Sequence, residues 1–213
     1  MKRGIKKGQV SLEFLLVFGV MLVLLLYSVR NVTFNESSPS TETLRIQVSL
    51  EEKNLANAIS TTISQVYSQG PGAKATSYVK LTYLRDSQMI TKALKVVDPK
   101  IFITYGNYTY EGNGTYVTVT GTGAVPVLEG GNKNVFWSRA MYQAVLYSNQ
   151  SVWSPRGSIT LGSTTAYGIE VSPEELPPTL KIVVEWNPGS PERESWNFDP
   201  DKGELRININ PGG

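Results

Sequence analysis

LRIQVSLEEKNLANAISTTISQVYSQGPG, residues 44–72, is the stretch on which the fold class turns. Leu55, Ile59, Ile63 and Val66 recur at the spacing of one helix face, and Leu44 and Val48 extend that stripe backwards. Leu44, Ile46, Val48 and Leu50 also alternate strictly, so 44–50 fits a strand as well as a helix. Ser49 and Glu52 could form a capping box, which would start the helix later. Gly70-Pro71-Gly72 ends it in either case. A one-sided apolar helix needs another surface to cover it, and the residues that follow supply one.

From Thr76 the texture changes. SYVKLTYL, KVV, KIFITY, TYVTVTG, SITLG, TLKIVVEW and ELRININ are short runs rich in Val, Ile, Thr and aromatics, punctuated by Gly, Asn, Pro and Asp. That pattern predicts strands of an antiparallel sheet. Residues 133–148 fit either period, with strand preferred. The expected class is α+β: a helix over 43–69 packed on a β-rich region over 73–213, as a sandwich or a curved sheet. No repeat or low-complexity run interrupts it.

On the other side of the stripe, residues 31–42 are polar, contain Pro39 and read as a linker. Before them, Phe14 to Val29 is apolar except for Ser28 and carries no charge. Gln9 to Arg30 as one helix would extend about 33 Å, enough for a bilayer core of ~30 Å. Its apolar character runs all round, unlike that of a helix lying on a membrane surface. Lys2, Arg3, Lys6 and Lys7 precede it, and removing these four cations turns the formal charge from +2 to −2. The basic cluster is thus an orientation signal that keeps residues 1–8 on the cytoplasmic side. Residues 43–213 are then an extracellular head.

An ordinary secretory peptide is cut after its apolar region, at small residues. Here the chain after Leu26 reads YSVRNVTF and offers no such site. The small residue is Gly8, ahead of the apolar run. Gly8-Gln9-Val10-Ser11-Leu12-Glu13 resembles the archaeal class III, or type IV prepilin-like, signal peptide, whose pattern is Q-x-S-x-E-x-x-x-L after Gly or Ala. Gln9, Ser11 and Glu13 match; Val17 stands in place of the final Leu. The resemblance covers residues 1 to about 30. It implies cleavage between Gly8 and Gln9 by a membrane prepilin peptidase, with Lys6, Lys7, Gly8, Gln9 and Ser11 as recognition residues. It also implies a pilus assembly platform and self-association, or association with other pilins, through the N-terminal helices.

Glu13 sits at the edge of the apolar run, where an unpaired charge costs ~2.5–3.5 kcal/mol. Cleavage would create an α-amino cation at Gln9, one helical turn away. The resemblance implies that Glu13 pairs with that amine on a neighbouring subunit during assembly. The plainer reading is a carboxylate in the headgroup region, favoured by a helix N-terminus.

The chain has no Cys and no His, which excludes disulfides, thiolate zinc sites and Ser-His-Asp catalysis. No enzyme activity and no cofactor are expected. The charge balance of the head gives no footprint for nucleic acid. Five N-x-S/T sequons, at Asn31, Asn35, Asn107, Asn113 and Asn149, are candidate N-glycosylation sites. Asp199, Asp201 and Glu204 have the flavour of a calcium loop, but Pro-Asp-Lys-Gly reads better as a hairpin turn, and no metal is expected. Gly121-Thr-Gly123 lacks the helix and third glycine of a phosphate loop. Glu174, Glu175, Glu192 and Glu194 lie in Pro-rich loops and read as solvated. The expected function is a structural subunit, major or minor, of an archaeal type IV pilus-like filament: membrane-bound as precursor, on the cell surface when mature. The alternative is a monomeric, membrane-anchored extracellular binding or adhesion module.

Overall fold

The stripe in residues 44–72 is the buried face of a helix, α2 (Pro39–Gln69). Val48, Leu55, Ala56, Ile59, Ile63 and Val66 have no exposed surface. Ile46 and Leu50 are each 50% exposed, where strict alternation would have buried them beside Val48. Helical geometry therefore governs 44–50, because residues two apart on a helix point to nearly opposite sides. Ser49 and Glu52 do not cap the helix. It runs through both, and Glu52 lies in the core at 1% exposure.

The computed structural model describes residues 7–33, 39–108, 112–130, 132–143, 150–187 and 194–211. The chain divides into two compact units, Met1–Glu42 and Thr43–Gly213. The first contains α1 (Lys7–Thr33). The second contains most of α2 and everything after it.

Beyond α2 the order is β1 (Lys74–Lys80), α3 (Ser87–Leu94), β2 (Val97–Gly106), β3 (Gly114–Thr122) and β4 (Val135–Arg139), then β5 (Trp153–Ser154), β6 (Arg156–Leu161), β7 (Thr164–Val171), β8 (Thr179–Trp186), β9 (Ser195–Asp199) and β10 (Glu204–Ile209). Among the described residues these strands make two five-stranded sheets, ordered β1-β8-β10-β9-β5 and β4-β3-β2-β7-β6. The second sheet is antiparallel throughout. The first is mixed, a correction to the all-antiparallel expectation: β10 pairs parallel with β8, and β5 pairs parallel with β9. The chain leaves β8, lays β9 one position further out, and returns β10 into the gap, which places β10 alongside β8 in the same direction.

Inward residues of both sheets and the apolar face of α2 share one core. Leu180, Ile182 and Val184 of β8, Leu205 and Ile207 of β10, Ile101 and Ile103 of β2, and Ile169 of β7 all belong to it. β2 is buried at five consecutive positions, 101–105, because its outer face is covered too. There Tyr116, Val135, Leu161 and Ala166 form a smaller cluster, with Leu128 and Trp137 against it. The outer face of the first sheet instead carries ion pairs, including Lys181–Glu204 at 2.8 Å and Arg206–Glu185 at 3.3 Å. Exposed pairs of this kind contribute ~0–1 kcal/mol each, so the sheet is held by its inner side.

α2 bridges the two sheets at their edges. The Thr62 and Ser77 hydroxyls, 2.8 Å apart, tie it to β1. Ser60 Oγ donates to the Ser138 carbonyl of β4 at 2.6 Å. β1 and β4 are the edge strands of their sheets. Glu51 holds the chain after β1: its carboxylate accepts the backbone N–H groups of Thr82, Tyr83 and Leu84 at 2.8, 2.8 and 2.9 Å. β1 accordingly ends at Lys80, and the second half of SYVKLTYL is not strand.

α3 has no counterpart in the sequence expectations. Asp86 caps it by accepting the Met89 N–H at 3.0 Å, and Ile90 and Ala93 bury one side. Lys95, at φ 57°, closes it with an N–H to the Thr91 carbonyl. Val97, the last residue of KVV, joins KIFITY in one strand, β2, through an irregularity between Val97 and Lys100. Asp98 there has φ 50° and precedes Pro99, a residue confined to edges and bulges of sheets. Of residues 133–148, Val135–Arg139 form strand, Ala140–Gln143 do not, and 144–148 lie outside the described residues.

Candidate functional site

The chemistry-bearing residues of the N-terminal unit are arranged along α1. Lys7, Gly8, Gln9, Ser11 and Glu13 occupy its first two turns, so the Gly8–Gln9 bond lies inside helix. The side chains of residues 7–13 fall outside the described residues, as does Lys6 entirely. Phe14 to Tyr27 are described and exposed, with Phe14 and Phe18 stacked at 6.3 Å between ring centroids. Phe14–Ser28 extends about 22 Å. Among the described residues no helix is long and apolar enough to cross a membrane. A span over 9–30 rests on the sequence.

Residues 6–32 match the family model of the class III signal peptide. No curated protein and no solved structure matches the chain. The match supports a type IV prepilin-like precursor, anchored in a membrane and processed by a prepilin peptidase. It stops at residue 32 and bears only on the N-terminal unit.

Asn107 follows the end of β2 and is exposed; Asn113 precedes β3 and is half-buried. The side chain of Asn31, and Asn35 and Asn149 altogether, lie outside the described residues. Asp199, Asp201 and Glu204 belong to the β9–β10 hairpin, whose turn places Gly203 at φ 57°. Asp199 accepts from Lys202 through both its backbone N–H, at 3.2 Å, and its ammonium, at 2.6 Å. The Lys202 hydrogen bonds hold the Asp199 carboxyl below the usual carboxylate range. Glu204 is taken by Lys181 and Arg206. The turn thus supplies its own cations. Among the described residues no group of three or more acidic side chains is placed to hold a metal ion.

Two carboxyls lie where the sequence did not put them. Glu194 is 7% exposed, not solvated, and accepts a hydrogen bond from the Tyr142 hydroxyl. Burial, and then the Glu194 hydrogen bond, push the Tyr142 phenol well above its ordinary value. Glu52 is wholly buried on α2, and desolvation raises its carboxyl well above the ordinary value, only partly offset by a hydrogen bond from the Val119 backbone. Neither position carries a sequence signal, since the partners of Glu194 and Glu52 lie 52 and 67 residues away.

Between α3 and the start of β2 is a cleft of about 820 Å³, with Lys92, Asp98, Lys100, Ser172 and Glu174 among its walls. Lys100 donates to Ser172 Oγ at 2.6 Å. A hydrogen bond from Ser87 holds the Glu174 carboxyl below its ordinary range. The two cations and two anions balance, so the cleft has no electrostatic preference for ligands of either sign.

Proposed function

We propose that this protein is a structural subunit of an archaeal type IV pilus-like surface filament, matured by cleavage between Gly8 and Gln9 and assembled through its N-terminal helix. The observation that carries this reading is the class III signal peptide match over residues 6–32, on a helix whose apolar side chains from Phe14 to Tyr27 are exposed. Exposed apolar surface on this scale calls for lipid or other helices to cover it. The head, residues 43–213, stays on the outer surface and gives the filament its exterior. Its role is structural and not catalytic.

The assembly step has a stated charge logic. Removal of residues 1–8 leaves an α-amino cation at Gln9. Glu13 of an adjacent copy neutralises it inside the packed helices, where either charge alone would be costly. Archaeal origin and the assembly platform as a partner follow from the same resemblance.

The deciding experiment is N-terminal mass spectrometry of this chain recovered from sheared surface filaments. A first residue of Gln9 is expected. A first residue beyond Val29 would mean an ordinary signal peptide, and absence of the chain from filaments would mean an anchored monomer.

A further inference from the structure

The cleft of about 820 Å³ is built by α3, the start of β2 and the short turn after β7, and every residue that lines it is described. Small-molecule sites have this size, roughly 300–1,000 Å³. Ile90 and Ala93 turn one side of α3 into the core, which leaves Ser87, Gln88, Thr91 and Lys92 along the cleft. Ser172 and Glu174 line it from the turn.

The remaining wall comes from the irregularity in β2. Four consecutive residues, Val97 to Lys100, line the cleft, where a regular strand would offer every second one. β3 holds this backbone in place. A Cβ at Gly121 would be 2.6 Å from Val96 Cγ1 and 2.7 Å from the Val97 carbonyl oxygen, so the close approach needs glycine. Asp98 is held there at φ 50°, a conformation that Gly, Asn and Asp adopt far more readily than other residues. Bulges re-aim side chains, and this one adds a carboxylate to the cleft.

The polar groups of the walls have capacity to spare. Lys100 donates to Ser172 Oγ at 2.6 Å, and Glu174 accepts from Ser87. Each keeps further donors or lone pairs. Among the described residues the side chains of Lys92 and Asp98 have no hydrogen-bond or ion-pair partner. With two cations and two anions in the lining, a charged ligand gains at one pair and loses at the other. A hydroxyl group satisfies both, because it donates to a carboxylate and accepts from an ammonium. Val97, 56% exposed, adds an apolar surface for the C–H face of a ring.

We infer that this cleft binds a neutral saccharide, with Asp98 and Glu174 accepting from its hydroxyl groups and Gln88, Lys92 and Lys100 donating to them. The head then has an adhesive role beyond its structural one. The site lies wholly within the head, so it stands or falls separately from leader cleavage and filament assembly.

The test is amide NMR of the full chain in a detergent without a sugar headgroup. The probes are the methyl glycosides of glucose, galactose, mannose and N-acetylglucosamine, with glucuronate and glucosamine as charged counterparts. At least one neutral glycoside should shift the amides of Gln88, Thr91 and Asp98 in the wild-type chain. Asp98→Asn and Glu174→Gln preserve the shape of the cleft, and each should weaken that binding about tenfold, the loss of one charge-assisted hydrogen bond. Asp201→Asn, which alters an exposed carboxylate in the β9–β10 turn, should bind as wild type does. No shift with any neutral glycoside overturns the site. Shifts confined to other parts of the head, or wild-type affinity in both Asp98→Asn and Glu174→Gln, put the sugar elsewhere and overturn it as well. Tighter binding of glucuronate or glucosamine overturns the neutral ligand class. None of these outcomes depends on where the chain begins, so each leaves the filament reading to its own experiment.

Discussion

Ser60 on α2 and Thr115 on β3, 55 residues apart, share a buried hydrogen bond of 2.9 Å between their hydroxyls. Ser60 is also bound to the Ser138 carbonyl and the Thr115 N–H, so one hydroxyl joins the helix to two strands. Ser60→Ala would leave those groups short of a partner inside the core. Leaving a buried polar group unsatisfied costs ~1–3 kcal/mol. A fragment of residues 43–213 carrying Ser60→Ala should unfold at lower urea than wild type, its unfolding free energy reduced by that amount with an unchanged slope. An unchanged midpoint would show that water replaces the hydroxyl.

Glu51 should act as a local fastener. Its carboxylate takes three backbone N–H groups of the segment after β1, and hydrogen bonds to a charged group contribute ~1.5–3 kcal/mol each. In Glu51→Gln, amide exchange at Thr82, Tyr83 and Leu84 should speed up at least tenfold while exchange within β8 stays slow. If exchange in β8 accelerates equally, the contact supports the whole head.

Glu52 sets a pH dependence. Burial raises its carboxyl well above 4.5 in the folded state, so the native head binds this proton more tightly than the unfolded chain. Its contribution is therefore fully present below about pH 4.5 and is lost as pH rises through the raised value. Glu52→Gln, neutral at every pH, should keep what wild type loses. The gap in urea midpoint between Glu52→Gln and wild type should widen from pH 5 to pH 8. Glu194 and all other titrating groups are common to both proteins and drop out of the difference. A constant gap would mean that the carboxyl stays neutral, or finds a partner, throughout.

Glu13→Leu should separate processing from assembly. Gly8 and the preceding lysines remain, so the leader is still removed. Insertion should be at least as good, because a costly charge has gone. Incorporation into filaments should fall severely, since breaking a buried pair costs ~3–5 kcal/mol. The readout is the ratio of cleaved chain in sheared filaments to cleaved chain in membranes. A wild-type ratio would leave Glu13 as a helix-terminus residue only.

Local chemistry was enough to predict the leader, the apolar run, the α2 stripe and most of the strands. A basic cluster, a small residue and a charge-free run act within a few residues of one another, and period and turn chemistry are equally short-range. The β9–β10 turn was legible for the same reason, since Pro200 to Gly203 carry it alone. Tertiary structure decided the rest. Residues 44–50 satisfied two periods at once, and only the shared core selected the one that buries Val48 and turns Ile46 outward. β10 lies parallel to β8 because a third strand occupies the outer position, which no run of six residues encodes. Asn107 and Asn113 are the same motif by sequence. The Asn113 sequon has its hydroxyl residue buried because α2 brings Ser60 against Thr115, a contact whose partners are distant along the chain and meet only when helix and sheets close on one core.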